Sequence, residues 1–395
     1  MNFLALFQLL DVQALQIKDA GNHPALRESR LRVLAVTVRA DIGGGPEHLF
    51  QLVQGFGADV DTIIACPDEQ PYRARFSALP GVVGVTDVAH RAFRPGVLFA
   101  LARTAREARV NVIHAHGKGA GVYGRLLAIL IRRPCVHTFH GLHVGEYGRL
   151  KLAMYLGLER LLGLCTKAAI CVSEGEMEVI RAARIMPGRK LRLVENAVAL
   201  PQSPANPAKS TCLRIVAVSR YDHQKNPDLL IDIAHALKAK PGFSFRMTVL
   251  GEGDRLNEMR ARVHAEGLND VLCLVGASET PRAVFRDSDI FLSTSRWEGM
   301  PLAVLEAMSE GLPVVATNVV GNRDVVEDGI TGWLYPDGDC AAAADVIAAL
   351  TTKDRAAMGQ AARAAVARKY SVQRMARQTI EIYRQCLAGP KRGQR

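Results

Sequence analysis

Aromatic residues are scarce in this 395-residue sequence, at 6% Phe, Trp and Tyr, and the charged fraction is only 23%. The first shortage removes the interleaved stacking surface that basic single-strand binders use, so no nucleic-acid partner is expected despite a net charge of +11. No stretch approaches the ~18 consecutive apolar residues needed to cross a bilayer. Met1 to Leu10 is apolar but has no Lys or Arg ahead of it and no small-residue cleavage site behind it. A secretory leader is therefore not expected, and the cytoplasm is the expected compartment. Cys-x-x-Cys is absent as well. The cysteines Cys66, Cys135, Cys165, Cys171, Cys212, Cys273, Cys340 and Cys386 are scattered, several within apolar runs such as Ile63 to Cys66, and read as reduced core thiols, neither zinc ligands nor disulfides.

What is present is apolar material for burial, 49% of the residues, in a chain longer than one core usually organises. From Leu31 short β-branched runs alternate with longer amphipathic stretches. Leu31 to Val38, Val60 to Ala65, Val110 to Ala115, Pro134 to Thr138, Ala168 to Val172 and Leu191 to Val194 read as strands. Between them Val97 to Arg109 sets Arg103, Arg106 and Arg109 opposite Leu98, Leu101, Ala102 and Ala105, which predicts a surface helix. Strand–helix repetition implies a parallel sheet.

Pro201 to Lys209 breaks the alternation with linker chemistry, after which it restarts at Leu213 to Val218, Arg246 to Leu250, Val271 to Leu274, Asp289 to Leu292 and Pro313 to Ala316. The expected organisation is an extension over 1–30, a first doubly wound domain over 31–200, a linker over 201–209, a second such domain over 210–371, a helix over 372–387 and a basic tail over 388–395. The extension reads either as a loose segment on the first domain or as a membrane-surface helix. Carboxyl ends of both sheets should face one cleft, where ligands bind such folds.

Residues at those strand ends carry the chemistry. Arg220 and Lys225 share one strand-to-helix loop, well placed to hold a diphosphate by a guanidinium fork and an ammonium. Ser295-Arg-Trp-Glu-Gly-Met-Pro-Leu follows another strand and opens a helix at Pro301; Gly299 allows close backbone approach, and the free amides at the helix start can hold an oxyanion. Glu306 lies on an otherwise apolar helix face and needs donors, which a ribose diol offers. Gly43-Gly44-Gly45 follows the first strand. His114 and His116, then His137, His140 and His143, sit at two further strand ends. The second trio runs out of a strand, where alternate residues point oppositely, so no metal site is expected. The pairs Asp59/Asp61, Asp287/Asp289 and Asp337/Asp339 read as helix ends and turns.

Together these segments resemble the family 4 glycosyltransferases, retaining enzymes of the two-domain GT-B fold. The likeness spans Leu31 to Leu387 and rests most firmly on Glu298 followed by Glu306, ahead of Gly311-Leu-Pro-Val-Val-Ala and Asp328-Gly-Ile-Thr-Gly-Trp-Leu. It also includes Glu47 and His48 after the glycines, His114-Ala-His116-Gly, Thr138-Phe-His140-Gly, Val172-Ser-Glu and Glu195-Asn-Ala-Val. The resemblance implies a nucleotide-diphosphate sugar, UDP-linked by preference, with Arg220 and Lys225 on the diphosphate and Glu306 on the ribose. It implies Glu298 on hydroxyls of the transferred sugar, Gly44 and Gly45 near the phosphates, and His140 near the reacting centre. His140, Glu298, Arg220 and Lys225 are thus the expected catalytic set. Gly299, Met300, Pro301 and Leu302 complete the expected donor site, with His48, His116 and His143 on the acceptor side. The pattern departs at Ala197 and Asn322, where glycine is commoner.

Retained configuration, no metal or other cofactor, and a C-terminal helix crossing back to the first domain are further implications. The first 200 residues hold 25 basic and 17 acidic side chains, a balance of +8. With the apolar stretch Leu150 to Leu164 this suggests contact with anionic lipid at the inner face of the cytoplasmic membrane and a polyprenyl-diphosphate-linked saccharide as acceptor, in bacterial surface-polysaccharide synthesis. A soluble acceptor or a nucleotide-sugar epimerisation are the alternatives.

Overall fold

The computed structural model describes residues 30–90, 92–141, 148–203, 212–278 and 281–388. Residues 1–29 of the extension, His143, most of the linker and residues 389–395 of the tail lie outside them. Two all-parallel sheets organise the rest. The first has the strand order β3-β2-β1-β4-β5-β6-β7, built from β1 (Leu31–Val36), β2 (Val60–Cys66), β3 (Val82–Asp87), β4 (Val112–His116), β5 (Cys135–Thr138), β6 (Ala168–Cys171) and β7 (Leu191–Leu193). The second has the order β10-β9-β8-β11-β12-β13, from β8 (Leu213–Val218), β9 (Phe245–Leu250), β10 (Leu272–Gly276), β11 (Ile290–Ser293), β12 (Val314–Thr317) and β13 (Gly332–Tyr335). Each order reverses once, between β1 and β4 and between β8 and β11, which is where such sheets open a crevice at their carboxyl edge.

In the first half the helices are α1 (Gly44–Phe56), α2 (Tyr72–Ala78), α3 (Pro95–Glu107), α4 (Gly117–Ile131), α5 (Arg149–Leu164) and α6 (Glu174–Ala182). In the second they are α7 (Pro227–Lys238), α8 (Leu256–Ala265), α9 (Pro281–Arg286), α10 (Leu302–Glu310), α11 (Asn322–Val325), α12 (Cys340–Ala349), α13 (Thr352–Lys369) and α14 (Val372–Leu387). Helices on both faces leave central strands wholly buried, as β2 is along its length, and this is why those strands read as continuous apolar runs.

Two strands escaped the sequence reading, β3 and β13. Both are sheet edges with half-exposed residues, and a glycine weakens the strand signal of each, Gly84 inside β3 and Gly332 at the start of β13. α3 is shifted two residues from its expected span: Pro95 takes a first-turn position that suits its fixed φ, and Arg109 turns left-handed at φ 52° beyond the end. Pro301 precedes α10 rather than opening it, with φ −76° and ψ 105°. All the cysteines are free, but only Cys66, Cys135 and Cys171 are buried and Cys273 is exposed, so core packing describes part of the set.

α14 leaves the second domain and packs on α1. Its Val372, Met375, Ala376, Ile380, Ile382 and Tyr383 join the core under β1, β2 and β4. A Cβ on Gly55 would lie 2.8 Å from Val372 Cγ1, so the close approach of α1 and α14 requires glycine there. The domains are thereby tied twice, at the 194–203 crossing and through α14. At the crossing, Arg282 Nη2 donates to the Ala199 carbonyl at 2.8 Å.

Candidate active site

The second domain contributes loops that lock onto one another. After β8, Arg220 Nη2 reaches Asp222 Oδ2 at 3.0 Å and donates to Gln224 Oε1 at 2.8 Å. Gln224 Nε2 donates to the Trp297 carbonyl at 3.0 Å, and its own carbonyl accepts from Arg296 N at 2.8 Å. Thr294 Oγ1 donates to the Lys225 carbonyl at 2.8 Å. These bonds fasten the β8–α7 loop to the β11–α10 loop and bring Lys225 Nζ to Glu298 Oε1 at 2.5 Å. Glu298, 8% exposed, also accepts from Ser295 Oγ at 2.6 Å. One of its oxygens is thus engaged by both donors.

A third loop closes over Glu298. Gly321 adopts φ 87°, and a Cβ there would sit 2.6 Å from Glu298 Cβ. Next to it Asn322, the position where glycine was the expected residue, is fully buried. Its Nδ2 donates to the Thr317 carbonyl at 3.0 Å, so the side chain staples the loop back to β12.

α10 begins with Leu302, has no side-chain cap on its free amides and no acid in its first turn. α1 also begins without a side-chain cap, and a Cβ on Gly44 would lie 3.8 Å from Leu302 Cδ1. Two uncapped helix starts therefore face each other across the cleft, each with donor amides and the positive end of a helix dipole. Gly45 opens onto empty space. One turn into α10, Glu306 is half-buried. Burial, then the neighbouring Glu47 carboxylate, pushes its carboxyl up to about 7, and among the described residues no donor reaches it.

The first domain contributes histidines. His48 one turn into α1, His116 at the end of β4 and His140 beyond β5 gather with ring centroids 4.7 Å (48 to 140), 5.6 Å (48 to 116) and 5.9 Å (116 to 140) apart. His114 sits beneath His116 and is fully engaged, with Nδ1 2.6 Å from Tyr383 Oη and Nε2 2.7 Å from Thr138 Oγ1. Alternation along β5 sends His137 the other way, against α4. Burial holds His48 down to about 4 and His114 to about 3, and lowers His116, His137 and His140 as well, so the cluster is neutral at pH 7.

Several partners of these residues were invisible in the sequence. Glu176 on α6 accepts from Gly141 N at 2.5 Å and from Val172 N at 2.7 Å, tying the loop after His140 to the end of β6. Gly141 in turn meets Gly299: a Cβ on Gly299 would lie 2.8 Å from Gly141 N. Asn196 Nδ2 donates to the Met300 carbonyl at 2.9 Å, while its Oδ1 lies 2.8 Å from His48 Nδ1. Glu47 is bound by Tyr72 Oη and by Arg75 Nη1 at 3.1 Å. The motifs Val172-Ser-Glu and Glu195-Asn marked the right loops, but not which side chain reaches across.

The aspartate pairs stand apart from this cleft. Asp61 pairs with Arg30 and Asp289 with Arg214, while Asp339 caps α12.

The structure thus brings Arg220, Lys225, Glu298, Gly299, Met300, Leu302 and Glu306 to one cleft wall, with Gly44, His48, His116 and His140 opposite. Two family profiles cover the same ground back to back: glycosyltransferase family 4 over residues 42–201 and glycosyl transferases group 1 over 201–365. Both halves of the chain thus match glycosyltransferase profiles, the first that of family 4 and the second that of group 1.

Among curated relatives, this chain is 28% identical over 259 residues to the Escherichia coli UDP-Gal:alpha-D-GlcNAc-diphosphoundecaprenol alpha-1,3-galactosyltransferase, covering 61% of this chain and 66% of that protein. It is 30% identical over 262 residues to the putative colanic acid biosynthesis glycosyltransferase WcaL of E. coli K12, covering 62% and 63%. The match thus spans just under two thirds of these relatives. Among solved structures, Anabaena Alr3699/HepE in complex with UDP and glucose superposes with TM-score 0.79 at 18% identity, covering 90% of this chain and 100% of that one. Sucrose-phosphate synthase from Thermosynechococcus elongatus gives 0.76 at 19%, covering 91% and 100%. These likenesses establish the GT-B architecture.

Proposed function

We propose that this protein is a retaining glycosyltransferase that moves a sugar from a UDP-sugar to a growing polyprenyl-diphosphate-linked saccharide in bacterial surface-polysaccharide synthesis. The observation that carries it is the meeting of the uncapped starts of α1 and α10 beside Lys225, Arg220, Glu298 and Glu306. A diphosphate in that position has two sets of amides and two cations, the sum of which grows more favourable as the leaving group gains charge. Lys225 has two ammonium hydrogens left after meeting Glu298, enough to reach phosphate oxygen. Glu306, unpartnered, is suited to a ribose diol, and Glu298 to the transferred sugar's hydroxyls.

The chemistry needs no metal in this reading, because the cations and helix starts occupy the role of a divalent ion. The proton of the acceptor hydroxyl passes to the departing phosphate on the same face as attack. That route is supported by the engagement of the nearby first-domain carboxylates: Glu47 is held by Tyr72 and Arg75, and Glu176 by two backbone amides. A glycosyl group trapped on any carboxylate would contradict it. The lipid-linked acceptor and a station on the inner face of the cytoplasmic membrane are supported by the name of the galactosyltransferase relative and by the surface of α5. No helix of the described residues is long and apolar enough to cross a membrane.

A thermal-shift panel of UDP-, GDP- and ADP-sugars tests the donor. A ligand at 100 times its dissociation constant adds about 2.7 kcal/mol to stability, so a clear rise in Tm is expected for UDP-sugars and little for the others. A rise with GDP- or ADP-sugars alone would reassign the donor. Product formed without acceptor would point to epimerisation.

A further inference from the structure

Three of the clustered histidines keep nitrogens that nothing satisfies. His48 Nε2, both ring nitrogens of His116 and His140 Nε2 are buried without a hydrogen-bond partner. His48 is also oriented. Asn196 turns its NH2 to the Met300 carbonyl, so the oxygen faces His48 Nδ1 at 2.8 Å and can only accept. Nδ1 therefore carries the hydrogen and Nε2 carries a buried lone pair. An oxygen holding one ring nitrogen while the other is left bare is how proteins prepare an imidazole for a metal ion.

The geometry fits the same conclusion. One nitrogen from each of His48, His116 and His140 lies within 4.8 Å of the others. Tetrahedral Zn2+ with N bonds of about 2.0–2.1 Å places its nitrogens about 3.3 Å apart, so side-chain shifts of about an ångström close the set. We propose that His48, His116 and His140 form a three-histidine site for a divalent transition-metal ion such as Zn2+, with a fourth position open to the cleft. Neutral imidazoles without a carboxylate select Zn2+, Ni2+ or Cu2+ over the hard ions Mg2+ and Mn2+. The residues His137, His140 and His143 that the sequence set close together are not this set, which comes from three different strand-to-helix connections.

Binding stands independently of the enzymatic reading; its consequence rests on it. A metal ion beside His140 takes the place assigned to the transferred sugar, so it inhibits transfer rather than supporting it.

The test is equilibrium dialysis of the full chain, stripped with chelator, against Zn2+ and separately against Mg2+, with Co2+ absorption as the spectroscopic probe. The expected result is one Zn2+ retained per chain, no Mg2+, and the intense visible bands of tetrahedral Co2+. Asn196→Leu should weaken Zn2+ about 10- to 100-fold, and His48→Ala or His116→Gln by more. Cys273→Ser, which removes the exposed thiol, should leave binding unchanged. No stoichiometric Zn2+ in the unmodified chain, or retention that survives both histidine substitutions in variants with native circular dichroism, would overturn the site. Zn2+ that binds with the expected histidine dependence yet leaves transfer uninhibited supports the site and contradicts the sugar's placement beside His140.

Discussion

At the scale of single residues the cleft is centred on Lys225. Its ammonium is the cation brought against Glu298, and both side chains are mostly buried. Removing one charge-stabilising donor from a transition state costs about 2.7–4 kcal/mol in comparable sites. Lys225→Ala should therefore lower kcat about 10²- to 10³-fold in a donor-turnover assay; undiminished turnover would remove Lys225 from the mechanism. The placement of Lys225, Glu298 and Glu306 at one cleft wall was legible in sequence because each follows a strand end in a strand-to-helix connection or the helix it opens. What was not legible is that Lys225 and Glu298 touch. Seventy-three positions separate them, and only the pairing of β8 with β11 brings their loops together. Asn322 carries the same lesson. Where glycine is commoner, the structure buries its side chain as a staple to Thr317.

Among the elements, the loop from Phe139 to Gly141 is held by a carboxylate from a helix that the sequence reading did not connect with it. Burial pushes Glu176 up to about 7 even though two amides favour its ionised form. Ionised, it accepts from Gly141 and Val172; protonated, one oxygen becomes a donor and an amide is released. The strap is whole above pH 7 and weakened below it, so kcat should fall as pH drops through about 7. Stability moves the opposite way. A carboxyl that holds its proton more tightly in the fold than at its ordinary 4.5 makes the fold less stable as pH climbs from there towards 7. Glu176→Gln cannot titrate and should give a lowered, flat kcat across that range. A pH limb that persists in the variant belongs to another group, Glu306 first among them, and contradicts the strap.

Element existence was clear from periodicity in the buried strands. It failed at β3 and β13, edge strands in which a glycine, Gly84 or Gly332, stands where a β-branched residue would mark a strand. The helix α5 shows a subtler limit. Its apolar residues suggested a membrane face, yet Tyr155 and Leu162 are core and Leu152 and Leu156 half-buried. The outward stripe is a different set, with Leu150 77%, Met154 69%, Leu161 62% and Leu164 75% exposed. A helix with apolar residues all round does not announce which of them face out until its neighbours are placed.

Over the whole molecule that stripe has a charge environment to match. From Ala108 to Ser173 the sequence holds nine Lys and Arg against two Glu, and Glu159 is buried against Arg125 at 2.8 Å. Arg160 and Lys190 bind carbonyls at 2.8 and 2.9 Å that join the basic turn after α6 to the end of α5. Exposed apolar side chains on a helix that also carries the exposed cations Arg149, Lys151 and Arg160 suit an anionic bilayer, each nearby cation adding about 1 kcal/mol of attraction. The chain should float with vesicles containing anionic lipid and not with neutral ones, and Leu150→Glu with Leu161→Glu should abolish flotation without lowering Tm. Flotation unchanged in that double variant would move the contact elsewhere.

The central claim is that both domains grip one diphosphate between the starts of α1 and α10. Hydrogen exchange of the full chain with and without UDP tests it most directly. A shared diphosphate site slows exchange in three separated segments at once, 43–48, 219–227 and 295–303, with the effect lost in Lys225→Ala. Protection confined to one domain, or absent from all three segments at saturating UDP, would contradict it.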